Sequence, residues 1–182
     1  MKAAIGLLEV KNVTRGIQVA DTMLKAANVE LVLAQPFCPG KFIVMVSGDV
    51  GAVQSAVRAG KGLSLDCVVD EFVLPNIHPS IFPALSGCTE IKELRALGMI
   101  ESFSVASGIT AADAAVKAAP VELIEIRLAR GMGGKAVVLF TGDVGAVNAA
   151  IRAGTQAIAD SGFLVDQTVI AAPHSGLHGV LF

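Results

Sequence analysis

Hydrophobic and polar positions along this chain spell one series of elements and then spell it again. Residues 3–10 form an apolar run that ends at a polar turn, the pattern of a buried strand. Thr14 is placed to cap a helix whose apolar face is Ile17, Ala20, Leu24 and Ala27, at spacings of three and four. Val29, Leu31 and Leu33 then alternate with Glu30, a strand pattern that stops at Pro36. Ile43 to Val46 is a short, unbroken apolar strand. Gly48-Asp49 opens a second helix, with Asp49 as N-cap and Val50, Val53 and Val57 facing inward. A last strand runs from Cys67 to Leu74 and is closed by Pro75.

The predicted order is strand, helix, strand, strand, helix, strand, an α+β, ferredoxin-like split arrangement with helices on one face of a sheet. The second half repeats it, with Asp143 as cap and Val144, Val147 and Ile151 inward. The repetition is visible residue by residue. Ala4-Ile5-Gly6-Leu7-Leu8-Glu9 matches Ala96-Leu97-Gly98-Met99-Ile100-Glu101, and Gly48-Asp49-Val50-Gly51-Ala52-Val53 matches Gly142-Asp143-Val144-Gly145-Ala146-Val147. A period of roughly 90 residues is too long for a solenoid and suits one small domain, so two fused copies of one fold are expected. The copies divide as 1–88 and 89–182, with residues 80–95 as the joint. They differ most after the second strand. The first copy reads Phe37-Cys38-Pro39-Gly40-Lys41 there, and the second reads Arg130-Gly131-Met132-Gly133-Gly134-Lys135. A repeated scaffold with one altered loop points to that loop as the specialised part.

Composition narrows the classes. The chain is 53% hydrophobic with a mean hydropathy of +0.67, yet no stretch approaches the roughly 18 uncharged apolar residues of a spanning helix. Glu9 interrupts the short N-terminal apolar run, so no secretory signal is expected. Two domains of about 90 residues have a poor surface-to-volume ratio, which makes oligomerisation the expected sink for the surplus apolar surface. Net charge is −2, with eight Phe, no Trp and no Tyr. Stacking platforms and phosphate-tracking stripes need such residues, so nucleic acid is not an expected partner, nor is a membrane. Three cysteines without a signal peptide point to the reducing cytosol, where thiols stay free or bind metal.

The chemistry-bearing residues are few. Gly40-Lys41 and Gly134-Lys135 lack the Ser or Thr that a P-loop places on magnesium. His78 and His174 occupy matching places after the last strand of each copy, and His178 follows. Pro173 and Gly176 argue against a helical two-histidine ligand face, leaving solvent-facing or backbone-bonded imidazoles. No serine–histidine–acid or paired-carboxylate arrangement stands out, so the chain is not expected to be an enzyme. Cys67 lies in an apolar strand and is explained by packing; Cys88 lies in the joint without a neighbouring ligand. Cys38 stands off any periodic face, on the unshared loop. Alone it is either a bare loop thiol or one ligand of a metal site whose other ligands come from elsewhere.

Taken together, these motifs resemble the bacterial microcompartment shell-domain family over nearly the whole chain, twice. The matching pieces are Ala-x-Gly-x-x-Glu at the start of each copy, Asp21-x-x-x-Lys25 with Asp113-x-x-x-Lys117, and Gly48-Asp49-Val50 with Arg58-Ala59-Gly60, repeated as Gly142-Asp143-Val144 with Arg152-Ala153-Gly154. Their order is that of the simple, non-permuted shell domain. Single-domain members form flat hexamers that tile into the shell of a protein organelle in the cytoplasm. The resemblance therefore implies a homotrimer of tandem domains with pseudo-sixfold symmetry, meeting other shell proteins at hexagonal edges. The family's edge lysine falls on Lys25 and Lys117, whose alternative is a solvated helix residue. The arginine that many members carry after the last strand is replaced by Asn76 and Ala172.

In this family the loop after the second strand lines the central pore. The resemblance thus places Phe37, Cys38, Pro39 and Gly40, with Arg130, Gly131, Met132 and Gly133 of the second copy, around that pore. It extends to the tandem-domain shell proteins of propanediol-utilising microcompartments, which carry a four-iron four-sulfur cluster through a cysteine of this loop. That implies one cluster per trimer, shared by three Cys38 thiolates, with the fourth iron left to water or another ligand. Arg130 would offset the negative charge, and a redox enzyme or electron carrier would exchange electrons with the site. Two rivals remain: a cluster-free shell tile whose pore passes metabolites, and a ligand-binding regulatory trimer.

Overall fold

The computed structural model describes residues 4–129 and 131–177. Along them run β1 (Ala4–Val10), α1 (Val13–Ala26), β2 (Glu30–Phe37), β3 (Lys41–Gly48), α2 (Val50–Leu63) and β4 (Val68–Leu74). A short helix, α3 (Ile81–Leu85), precedes the second series. That series is β5 (Ala96–Ser102), α4 (Val105–Ala118), β6 (Glu122–Leu128), β7 (Ala136–Gly142), α5 (Val144–Ala157) and β8 (Leu164–Ile170). Each series builds its own antiparallel sheet, in the orders β2-β3-β1-β4 and β6-β7-β5-β8. This is the expected split arrangement, made twice and unpermuted.

The chain clusters into two units. One ends at Ile77 and takes in Ala129–Gly134; the other runs from His78 to Leu128 and resumes at Lys135. In the first unit, Ala4, Leu8 and Val10 of β1 share a core with Val19 and Met23 of α1 and Val53, Ala56 and Val57 of α2. The alternate residues Ile5 and Leu7 are also fully buried, as are Ile43 and Met45 on β3 beside them. A central strand sealed on both faces reads as a continuous apolar run, which explains the unbroken pattern of residues 3–10. Each such Leu or Ile contributes about 1.5–3 kcal/mol of burial free energy.

Four expectations need correcting. The N-cap position of the first helix is held by Asn12, without a side-chain capping bond, and not by Thr14, which lies inside the helix. Its buried residues are Gly16, Val19, Ala20 and Met23, whereas Ile17 is 58% exposed and Leu24 39%. Both sets obey three-and-four spacing. The core takes the stripe through Gly16 because only a glycine fits there: a Cβ would stand 2.3 Å from the Phe42 ring. Next, β2 does not stop at Pro36 but runs through it to Phe37. It is an edge strand, where a missing backbone N–H breaks no inner ladder bond. Third, Val53, Val57, Val147 and Ile151 face inward as expected, and half-buried Val50 packs on the core, but its counterpart Val144 is 44% exposed. Each of these two valines occupies the first position of its helix. Last, Asp49 and Asp143 do hold the N-cap positions, yet neither side chain makes a capping hydrogen bond. Asp143 instead pairs with Arg95 at 2.6 Å. Ser104, which the sequence did not single out, is the residue that caps by its side chain, accepting from the Ser107 N–H.

The joint is more ordered than a linker. Its helix α3 buries Ile81 and Ala84 and packs against β6 and α4, while Ile91 and Leu94 pack on Leu97, Ile124 and Leu139.

Candidate metal centre at the Cys38 loop

Strands β2 and β3 pair as far as Phe37 opposite Lys41, leaving Cys38, Pro39 and Gly40 to make the connection. Three residues must reverse the chain, and the Gly40 N–H donates to the Phe37 carbonyl at 3.0 Å to close the turn. Gly40 has φ +88, a left-handed conformation open to glycine at little cost, and nothing stands within 4 Å of where its Cβ would be. The Cys38–Pro39 peptide is cis. Phe37 is buried and Cys38 is exposed, so the turn rests on an apolar anchor and presents a free thiol.

Behind the turn sits a charge pair. Lys41 Nζ lies 2.7 Å from Glu9 Oε1 and 5.7 Å from the centre of the Phe37 ring. The Glu9 side chain is wholly buried and the Lys41 side chain keeps 21% of its surface. Such a pair costs desolvation to form and far more to break, because one partner would leave the other charged in an apolar strand. The second copy repeats it as Lys135 with Glu101 at 2.5 Å, nearer the surface. Sequence reasoning missed these pairs although it held the signal. The glutamate ends the Ala-x-Gly-x-x-Glu match in each copy, and the lysine follows the glycine that closes the altered loop in each.

The second-copy loop joins β6 to β7 through a run of unusual backbone. Ala129 has φ +39, and Gly131, Gly133 and Gly134 have φ +72, +63 and +89. Met132 is half-buried. A Cβ at Gly134 would stand 2.9 Å from the Cys38 carbonyl oxygen, so this glycine belongs beside the thiol's own backbone. Arg130 lies outside the described residues, as does His178.

Cys67 is buried, and burial, with the Asp66 carboxylate adding to it, pushes its thiol up. Cys88 is exposed, its Sγ 3.4 Å from the Ser86 carbonyl. His78 and His174 make the same local turn: the Nδ1 of each accepts a backbone N–H from two residues on, Ser80 at 3.3 Å and Gly176 at 3.1 Å. Lys25 pairs with Asp21 at 2.7 Å on an exposed face. Lys117 pairs with Asp113, which is buried and also accepts the His78 backbone N–H at 2.8 Å. Among the described residues no three His, Cys, Asp or Glu gather as a metal site. Among the described residues the exposed soft donors are thus Cys38 and Cys88, and Cys38 is the one on the unshared loop, where a thiolate suits a soft metal rather than a hard cation.

The BMC domain model matches the chain twice, over residues 4–77 and 96–173. The microcompartment shell protein PduT of Citrobacter freundii is 45% identical over 97% of this chain and 96% of its own length. The shell protein PduA of the same organism is 39% identical over 43% of this chain and 86% of its own, the share expected of a single-domain relative. Among solved structures, a microcompartment protein from Desulfitobacterium hafniense DCB superposes with a TM-score of 0.91 at 49% identity, covering 98% of this chain and 99% of that one. A fused, permuted hexameric shell protein of the RMM microcompartment shares the fold at a TM-score of 0.67 and 24% identity, covering 87% and 84%.

Proposed function

The chain belongs to the BMC-domain family and is a shell protein of a bacterial microcompartment, and from that premise we propose that it forms a homotrimer whose central pore holds a four-iron four-sulfur cluster through Cys38. What carries this reading is the Cys38 thiol, one of two exposed in each chain and the one on the loop that the two copies do not share. A threefold axis gathers three copies of that donor, enough for three of the four irons of a cubane cluster. A bound cluster supplies reversible one-electron chemistry, here for passing electrons across the shell to or from a redox enzyme or carrier. The chain's own residues prepare the place. Phe37 anchors the turn, and Gly40 supplies the left-handed residue that closes it. Lys25 and Lys117 are proposed for the edges that meet neighbouring shell proteins.

The test is anaerobic purification, followed by iron, sulfide and mass analysis of the native protein and of Cys38→Ser. About four irons per three chains are expected in the native trimer, with a visible absorption that dithionite bleaches, and none in the variant. A native trimer that takes up no iron after reconstitution overturns the cluster. Colourless trimers would leave a shell tile with a metabolite pore.

A further inference from the structure

The same ion pair is built into both copies, but each copy sets it at a different depth. In the second, Lys135 and Glu101 keep 34% and 29% of their side-chain surface. In the first, Glu9 keeps none and Lys41 only 21%. The two members of the buried pair also stand at different distances from the turn that bears the thiol. Glu9 pairs in register with Ile43, two residues up β3, whereas Lys41 pairs with Phe37 at the foot of the turn. The Lys41 ammonium lies 5.7 Å from the centre of the Phe37 ring. It also lies 3.6 Å from the point where a Gly134 Cβ would stand, and the Cys38 carbonyl oxygen lies 2.9 Å from that same point. The charge and the backbone that carries the thiol are therefore close neighbours.

Water and salt screen an exposed lysine, and they screen a largely buried one far less. The Glu9–Lys41 pair is neutral as a whole, but near a dipole its closer end dominates. Here the closer end is the ammonium.

We propose that Lys41, held in place by Glu9, sets the reduction potential of the iron–sulfur group on Cys38, raising it by stabilising the negative charge that each electron brings. The electron comes from a reduced carrier, which is oxidised by one electron, and leaves to an oxidised carrier. The ion pair itself gives up neither an electron nor a proton. Net charge and the groups behind the ligands are among the factors that fix the potential of such a group. This inference deepens the cluster reading and rests on it.

Redox titration followed by visible absorption tests it, on the reconstituted native trimer and on Lys41→Met, Lys41→Arg and Glu9→Gln. Circular dichroism and iron content first establish that each variant is folded and loaded. Lys41→Met removes the positive end, so the ratio of reduced to oxidised protein at a fixed potential should fall at least about tenfold, a downward shift of about 59 mV for one electron. Glu9→Gln removes the opposing charge and keeps the ammonium, so its shift should run upward. Lys41→Arg keeps the charge and should stay near the native potential. The shifts should persist in high salt, because the pair is buried. A loosened turn or an opened path for water would move Lys41→Met and Glu9→Gln the same way; opposite signs mark an effect of charge.

Native protein that takes up no iron removes the cluster and this inference together. Loaded native protein whose potential is matched by both Lys41→Met and Glu9→Gln, or from which both depart in one direction, overturns the role of Lys41 and leaves the cluster standing. Where Lys41→Met holds no iron, Glu9→Gln decides alone: an upward shift supports the role, and an unchanged or lowered potential overturns it.

Discussion

Single side chains decide how three chemically alike cysteines differ. Cys38 and Cys88 are exposed and Cys67 is buried. In cluster-free protein, two thiols per chain should therefore react with a thiol reagent under native conditions, and the third only after unfolding. Cys67 also gives stability a pH dependence with a definite sign. Its thiol is pushed up in the folded chain, first by burial and then by Asp66, so the folded form holds its proton beyond the point where an unfolded thiol, ordinarily near about 8.5, releases it. The contribution is whole below that ordinary value and declines as pH rises from it toward the folded value. Thermal melts between neutral and alkaline pH should show this decline in the native protein and a shallower one in Cys67→Ala.

Helices and strands show what a sequence pattern can settle and what it cannot. The order of elements, their duplication and the sheet topology were legible, because alternation and three-and-four spacing map directly onto buried faces. The partner of each face was not. Ile17 and Leu24 have the spacing of a core stripe, but a helix can carry apolar residues toward two neighbours, and only packing reveals that Gly16 over Phe42 selects the other stripe. The same limit hid α3, five residues around Pro83 with too few turns for a period to show. Caps were half legible: Asp49 and Asp143 occupy their positions without bonding, and Ser104 bonds without having been noticed. Ser104→Ala should lower stability by about 1 kcal/mol in chemical denaturation. Of the candidate site, the place of Cys38 on a loop, off any periodic face, was legible. The Glu9–Lys41 pair beneath it did not, because 32 residues separate the partners along the chain.

At the scale of the molecule, duplication has produced two scaffolds that are alike in topology and unlike in their loops. One loop carries the thiol, and the other carries a run of glycines in left-handed conformations. Gly134 is the most constrained of them, with φ +89 and the Cys38 carbonyl 2.9 Å from any Cβ it might gain. Gly134→Val should cost about 1–3 kcal/mol through backbone strain and displacement of the Cys38 turn. On the proposed cluster-bearing trimer, iron per trimer should fall while sedimentation still reports three chains.

That close approach also has a genetic consequence. The codons for positions 38 and 134 lie far apart in the reading frame, yet a bulkier residue at the later one is admissible only if the earlier turn gives way. The two halves of the gene, though born as copies, are no longer free to drift separately: mutation in one is screened against the sequence of the other.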